Sequence, residues 1–183
     1  MCENMIKLLY KGELIREGGI IKKASSSSTF ISTEKHNILV DTSTKDKLKI
    51  ILKNLPVKPD EIDVIINTHS HYDHVENNDF FKEATVYGSP KEGSYFEDYK
   101  KLKDKEIEII ETPGHTYGSI SVIYKDYIIV GDASPLKDNI LKLIPPRVNV
   151  DENLALKSLI KIRKLKKNVI TGHDGCVKYS NFW

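Results

Sequence analysis

A chain of 183 residues, 39% apolar and 30% charged, suits one globular domain over residues 1–183 and excludes a disordered or fibrous protein. A net charge of +2 gives no general attraction to nucleic acid, so a nucleic-acid partner is not favoured; the oligomeric state stays open. No apolar run approaches the roughly 18 residues of a membrane span, and Met1–Gly12 lacks a signal peptide's apolar centre, so no membrane attachment is expected. The chain has two cysteines, Cys2 and Cys176, which is no disulfide framework; a cytoplasmic location is the default.

In chain order, Ile6–Tyr10, Gly19–Lys22, Thr29–Thr33 and Ile38–Val40 read as short strands between turn-like residues. Leu48, Ile51, Leu52 and Leu55 follow helical spacing, and Pro56 stops that helix. Ile62–Asn67 is an apolar, β-branched strand, followed by strands at Thr85–Tyr87, Ile107–Ile110, Ile120–Tyr124 and Tyr127–Val130. Asp151–Lys167 reads as a helix, with Asp151 as N-cap and Leu156, Leu159, Ile160 and Ile162 on its buried side. Val169–Thr171 is the last strand. This order fits two packed sheets flanked by helices. Two segments read as loop-like covers or caps: Gly88–Asp104, with Tyr95, Phe96 and Tyr99, and Ser134–Asn149, with Pro135, Pro145, Pro146 and Arg147.

Directly after Ile62–Asn67 comes His69-Ser70-His71-Tyr72-Asp73-His74, which holds three of the chain's 6 histidines. Several neutral nitrogen donors and a carboxylate in so short a stretch are what a metal site needs. Off an extended strand, residues i and i+2 point the same way, so His69 and His71 can grip one ion together. Asp73 and His74, beyond the turn, can face a second. Thr112-Pro113-Gly114-His115 and Thr171-Gly172-His173 add imidazoles, and Val130-Gly131-Asp132 adds a carboxylate whose two oxygens suit a bridge. Each of these residues falls just after a predicted strand, where a scaffold usually presents its chemistry. Asp41 is placed to accept the other N–H of a ligand imidazole. His36 reads as an exposed turn residue, Cys176 as a packed cysteine and Ser25–Ser28 as a hydroxyl-rich strand entry. Lys157, Lys161, Lys164, Lys166 and Lys167 read as a solvated helix face.

The strings HSHYDH, TPGHTYGSI, VGDAS and TGHDG, in that order, resemble the motifs of the metallo-β-lactamase superfamily. Ile38-Leu39-Val40-Asp41-Thr42 resembles its earlier strand-Asp-Thr motif. The likeness covers about residues 29–175, and from Ile38 to Asp132 it runs to the small single-domain members. The resemblance implies an α+β fold, a four-layer αββα sandwich, and a hydrolase with two divalent metal ions, zinc first, with iron or manganese as other candidates. It implies that His69, His71 and His115 hold one metal and Asp73, His74 and His173 the other, with Asp132 bridging and Asp73 and Asp132 catalytic. The chain departs from the family pattern at three places. Ser43 stands for a frequent Gly, Val75-Glu76-Asn77-Asn78 for a glycine pair, and Tyr117 for a Pro.

Two cations about 3.5–4 Å apart lower the pKa of a shared water toward neutrality, giving hydroxide without a strong protein base. A small ester, thioester or lactone is the expected substrate class. Phosphodiesterase or nuclease action on the same site is the rival, and a non-enzymatic metal-binding module the outside reading. With the chain ending at Trp183, there is no room for the C-terminal helical domain of glyoxalase II enzymes, so their particular thioester is not expected.

Overall fold

Ile38, Leu39 and Val40 are all fully buried, as are Ile65 and Ile66, because their strands are covered on both faces. The period of two then sorts the residues. Ile38, Val40, Val64 and Ile66 enter one core with Ile120, Val122, Tyr124, Ile129 and Ile170. Leu39 and Ile65 point the other way, into a core with Phe30, Ile51 and Ile62. Ile123, Ile128, Val130 and Val169 build a third core with Ile140, Leu159 and Ile162. The first core lies between two sheets, and the other two lie between a sheet and its covering helices. This is the expected four-layer αββα sandwich.

A computed structural model of the chain describes residues 5–182; Cys2 lies outside them. The first sheet runs β1 (Met5–Glu17), β2 (Ile20–Ser32), β3 (Asn37–Val40), β4 (Val64–Ile66), β5 (Thr85–Gly88) and β6 (Glu97–Asp98), in that order. Its first three strands pair antiparallel and the rest parallel. The second sheet is formed by β7 (Glu108–Glu111), β8 (Ile120–Tyr124), β9 (Tyr127–Ile129), β10 (Asn168–Thr171) and β11 (Gly175–Val177), in the order β11-β10-β9-β8-β7. Helix α1 (Leu48–Asn54) joins β3 to β4, and α2 (Tyr72–Val75) follows β4. Helices α3 (Lys137–Lys142) and α4 (Glu152–Lys164) lie between β9 and β10. Among the described residues, no helix is long and apolar enough to cross a membrane.

Several expectations are corrected. The short strands expected before residue 33 are two 13-residue strands forming one hairpin. Glu17 pairs with Ile20 across a two-residue turn in which Gly18 and Gly19 have φ of 56° and 83°, the positive-φ pair such a hairpin turn requires. The serine run lies inside β2 and is buried; Ser27 Oγ donates to Lys11 O (2.6 Å) and Ser28 Oγ to Asp41 O (2.8 Å), while Ser25 Oγ pairs with the Tyr10 hydroxyl (2.9 Å). Ser134–Asn149 contains α3 as well as loop.

On α4, Asp151 caps Leu154 N at 2.9 Å as expected, but Ile160 is exposed and Leu156 only half-buried. Ala155 and Ser158 take the buried side, and Ser158 Oγ donates to Pro113 O (2.6 Å), tying α4 to the loop of His115. Phe96 and Tyr99 are buried and cap the sheets, while Tyr95 is exposed. His36 is half-buried in its turn, with Nδ1 3.1 Å from Asp63 Oδ2. Cys176 packs against the core between the sheets.

Candidate metal centre

The structure brings His69, His71, Asp73, His74, His115, Asp132 and His173 together at the carboxyl ends of β4, β7, β9 and β10. Three sets have donor atoms all within 4.8 Å of one another: His69, His71 and His115; His69, His74 and Asp132; and Asp73, His74 and His173. His69 and His71 sit on extended chain after β4, with His71 at φ −62°, ψ 143° as the N-cap of α2. Asp73 and His74 lie on that helical turn, where a plain loop was expected. Asp132 reaches across the groups. Its Oδ2 is 3.5 Å from His115 Nε2, and its Oδ1 is 3.4 Å from His74 Nε2 and 3.1 Å from His173 Nε2.

Hydrogen bonding behind the rings fixes which nitrogen faces inward. A carbonyl or carboxylate only accepts, so the ring nitrogen beside it must carry the proton. His115 Nδ1 donates to Val148 O (2.7 Å), His173 Nδ1 to Ser25 O (2.9 Å) and His74 Nδ1 to Asp41 Oδ2 (2.7 Å). Thr68 Oγ1 donates to Asp41 Oδ2 (2.8 Å) and therefore accepts from His69 Nδ1 (3.2 Å). Four imidazoles thus direct Nε2 toward the centre. His71 turns Nδ1 inward, 3.0 Å from His115 Nε2.

His69 Nε2, His74 Nε2 and Asp132 Oδ1 are buried with no hydrogen-bond partner. Buried polar atoms normally have partners, and leaving one without costs about 1–3 kcal/mol. Three such atoms converging in one place, with imidazole and carboxylate chemistry, fit divalent cations. A binuclear metal-binding site is present.

The electrostatics agree. Burial pushes His69 well below the usual imidazole range, and the neighbouring His74 adds to this. Burial lowers His71 too, with His115 contributing. For His74 burial also opposes the charge, but Asp41 and Asp132 outweigh it and hold the ring well above the ordinary value. His173 is likewise raised, its burial outweighed by Asp132. Burial would raise Asp132, yet His173 and His74 hold it well below the usual carboxylate range.

Residues without a local motif hold this geometry. Glu92 Oε2 accepts from Ser70 N (2.9 Å) and Ser70 Oγ (2.8 Å), and its Oε1 from Gly118 N (3.0 Å), clamping the HSHYDH segment to the His115 loop. Nothing local to Glu92 reveals this, because its partners lie 22 and 26 residues away. Asn77 Nδ2 donates to Thr42 O (2.7 Å) and Thr44 O (2.8 Å), fastening the loop of Asp41. In that loop Asp41 and Ser43 take φ of 56° and 59°, a region that favours glycine. Gly131 (φ 49°) is needed because a Cβ there would collide with Thr68 Oγ1. At Gly12 a Cβ would lie 2.7 Å from Gly172 O and 2.8 Å from His173 Cα, so β1 approaches that turn only as glycine.

Above the cluster lies a cavity of about 370 Å³, near the small end of ligand sites. His71, Asp73, His115, Asp132 and His173 line it with Tyr72; the walls are Leu14, Arg16, Ile21 and Ala24 from the hairpin and Pro135, Pro146 and Val148 from the second expected cover. The hairpin's part was missed, although Gly18-Gly19 between two β-rich runs signals it. Arg147 is exposed and lies against Gly19. Among the described residues that line the cavity, neither the Ser25–Ser28 run nor Tyr95, Phe96 or Tyr99 takes part.

Fold and site together define a binuclear metallo-hydrolase. The metallo-beta-lactamase superfamily model matches residues 22–105 and 97–173, and the chain belongs to that superfamily. "Probable metallo-hydrolase MJ0296" of Methanocaldococcus jannaschii is 72% identical over 181 residues, covering 96% of this chain and 89% of that protein. An N-acyl homoserine lactonase of Bacillus cereus is 28% identical over 165 residues, covering 75% of this chain and 66% of the lactonase, just under two thirds of its length. A crystal structure of an AiiA mutant from Bacillus thuringiensis, with N-decanoyl-L-homoserine bound at its active site, matches with a TM-score of 0.74 at 20% identity. It covers 95% of this chain and 94% of that one, a likeness of fold.

Proposed function

We propose that residues 1–183 form one hydrolase domain that cleaves a small ester, thioester or lactone. His69, His71 and His115 would hold one ion, Asp73, His74 and His173 the other, and Asp132 would bridge. Zinc is the first candidate, since imidazole and carboxylate donors suit it; iron and manganese follow. The observation that carries the reading is the orphaned trio of His69 Nε2, His74 Nε2 and Asp132 Oδ1 beneath a cavity with mainly apolar walls. Such walls suit an uncharged acyl portion better than a polyanionic backbone. The lactonase names carried by relatives support the same substrate class. We also propose, from the stretch Ile38 to Asp132, kinship with the small single-domain members such as metallo-β-lactamase domain-containing protein 1.

When bound, two divalent cations supply Lewis acidity and a water acidic enough to ionise near neutral pH. The chain's own groups do the rest. Asp73, which lines the cavity with Oδ2 3.6 Å from His173 Nε2, takes the proton of the attacking water and delivers it to the leaving oxygen or sulfur. Water oxygen bonds to the carbonyl carbon, the acyl–oxygen or acyl–sulfur bond breaks, and acid and alcohol or thiol leave. Asp132 balances the imidazoles' positive environment. Asp41, Val148 O and Ser25 O keep three rings from rotating.

The test is metal analysis of the purified protein, followed by a hydrolysis panel of an N-acyl homoserine lactone, a simple thioester and a nitrophenyl phosphodiester. Two metal equivalents with lactone or thioester turnover is the expected result. Turnover of the phosphodiester alone would replace this reading with its rival, and a metal-loaded protein that hydrolyses nothing would favour a binding module.

A further inference from the structure

Arg16 is the one guanidinium among the residues lining the cavity, and its place there is unexplained by the metal centre. It stands on β1 two residues after Leu14, on the same face of the strand, opposite Ile21 of β2. The register irregularity there skips Lys22, so the bulge lies on β2, and it lets Ile21 and Ala24, three residues apart, both face the cavity with Arg16. Its Nε is buried and has no hydrogen-bond partner. The carboxylates in the cavity are Asp73 and Asp132, and both face the imidazoles. Of the remaining lining residues, Leu14, Ile21, Ala24, Pro135, Pro146 and Val148 have side chains that cannot accept a hydrogen bond, and Tyr72, whose hydroxyl can, makes none with Arg16 Nε. A buried donor on a charged group is thus left waiting for an acceptor inside a largely apolar chamber.

We infer that Arg16 is the specificity-determining residue of this cavity, and that it binds a carboxylate carried on the acyl portion of the substrate. The inference deepens the hydrolase reading and rests on it for the word substrate. A guanidinium presents a planar fork that matches a carboxylate in two parallel hydrogen bonds. One positive charge balances one carboxylate, whereas a phosphomonoester dianion would remain half-compensated. The acyl chain then spans the apolar walls between the metal centre and β1, with the scissile carbonyl at one end and the free acid at the other. Preferred substrates are therefore half-esters or half-thioesters of short dicarboxylic acids, or lactones bearing a carboxylate.

Calorimetric titration of the metal-loaded protein with glutarate and with butyrate tests this without turnover. Each acid offers one carboxylate to the metals, and only glutarate has a second for Arg16. Glutarate is expected to bind on the order of tenfold more tightly or better, from a charge-assisted hydrogen-bond pair. Arg16→Leu should bring the two affinities together. Arg16→Lys, which keeps the charge but loses the fork, should give an intermediate preference, and it carries the test if the leucine variant does not fold. Equal binding of the two acids by the wild type, or a preference unchanged in the variants, overturns the assignment. Tighter binding of a phosphonate of the same length overturns the choice of carboxylate. If neutral lactones are hydrolysed while glutarate shows no preference, the Arg16 inference alone falls. If an Arg16-dependent preference exists in a protein that hydrolyses no ester or lactone, the inference stands as a binding site and the hydrolase reading falls.

Discussion

The two sides of the metal centre are anchored unequally. Asp73, His74 and His173 are all buried, with His74 bonded to Asp41 and His173 to the backbone of β2. On the other side His71 is exposed, and its inward nitrogen meets only His115. One set is thus buried throughout, while in the other His69 and His115 are buried and bonded to Thr68 and Val148 and His71 alone is exposed. The difference teaches that metal affinity and fold stability are coupled through the buried imidazoles and least through His71.

The largest effects are expected where both halves meet. Asp132→Ala should reduce hydrolysis to background. His71→Ala should do the same while leaving the fold intact, because an exposed ring supports little else; circular dichroism beside a rate assay checks both. A His71→Ala protein that keeps most of its turnover breaks the assignment of roles. Asp41→Ala should cost stability as well as metal. It removes the acceptor for His74 Nδ1, Thr68 N and Thr68 Oγ1, all buried. Loss of one partner from such a pair costs about 3–5 kcal/mol, and loss of the group behind a metal-binding imidazole about 10–100-fold in metal affinity. Denaturant unfolding with and without chelator separates the two terms. Equal destabilisation by Asp41→Ala and His71→Ala would erase the proposed asymmetry.

Proton competition sharpens the comparison further. His74 and His173 are raised above the ordinary 6.5, so the metal-free protein holds protons there that a metal must displace. Their contribution to metal-free stability is complete below the unfolded value and is lost as pH rises through the folded one. Metal affinity should therefore climb from pH 6.5 upward while the metal-free protein weakens. Zinc titrations in buffers of different ionisation enthalpy should report proton release across that window, and a pH-independent affinity would contradict it.

The smallest effect is expected at Ser43. Its φ of 59° and its buried hydroxyl without a partner both disfavour serine. Ser43→Gly should stabilise the protein by about 1 kcal/mol, a melting shift of roughly 2–4 °C. No rise in melting temperature would mean that the Asn77 clamp already absorbs the strain.

The seven residues of the cluster were visible in the sequence because they fall in four short strings, each following a strand. The sandwich was visible because the order of short strands and helices fits two packed sheets flanked by helices, and because the motif strings resemble a superfamily with that fold. The hairpin was not, because Ser25–Ser28 reads only as the entry to a short strand and the charged residues of Lys11–Glu17 hide the rest of β1. Those serines are polar yet buried, and the hydroxyls of Ser27 and Ser28 bond to the distant backbone of Lys11 and Asp41. Helix α3 was hidden among prolines, and Ile160 was taken as buried because helical spacing alone does not reveal where the sheet ends. Glu92 was invisible for a different reason, since its contacts exist only once two loops have met.

Leu14, Arg16, Ile21 and Ala24 wall the cavity from a hairpin that contributes none of the seven clustered side chains. Its turn at Gly18-Gly19 is exposed and closes in two residues. Such an appendage is a natural unit of exchange. Lineages sharing this scaffold can diversify what they accept by rewriting one ribbon, and an engineer can transplant a foreign one between Glu13 and Ala24 to redirect an inherited chemistry.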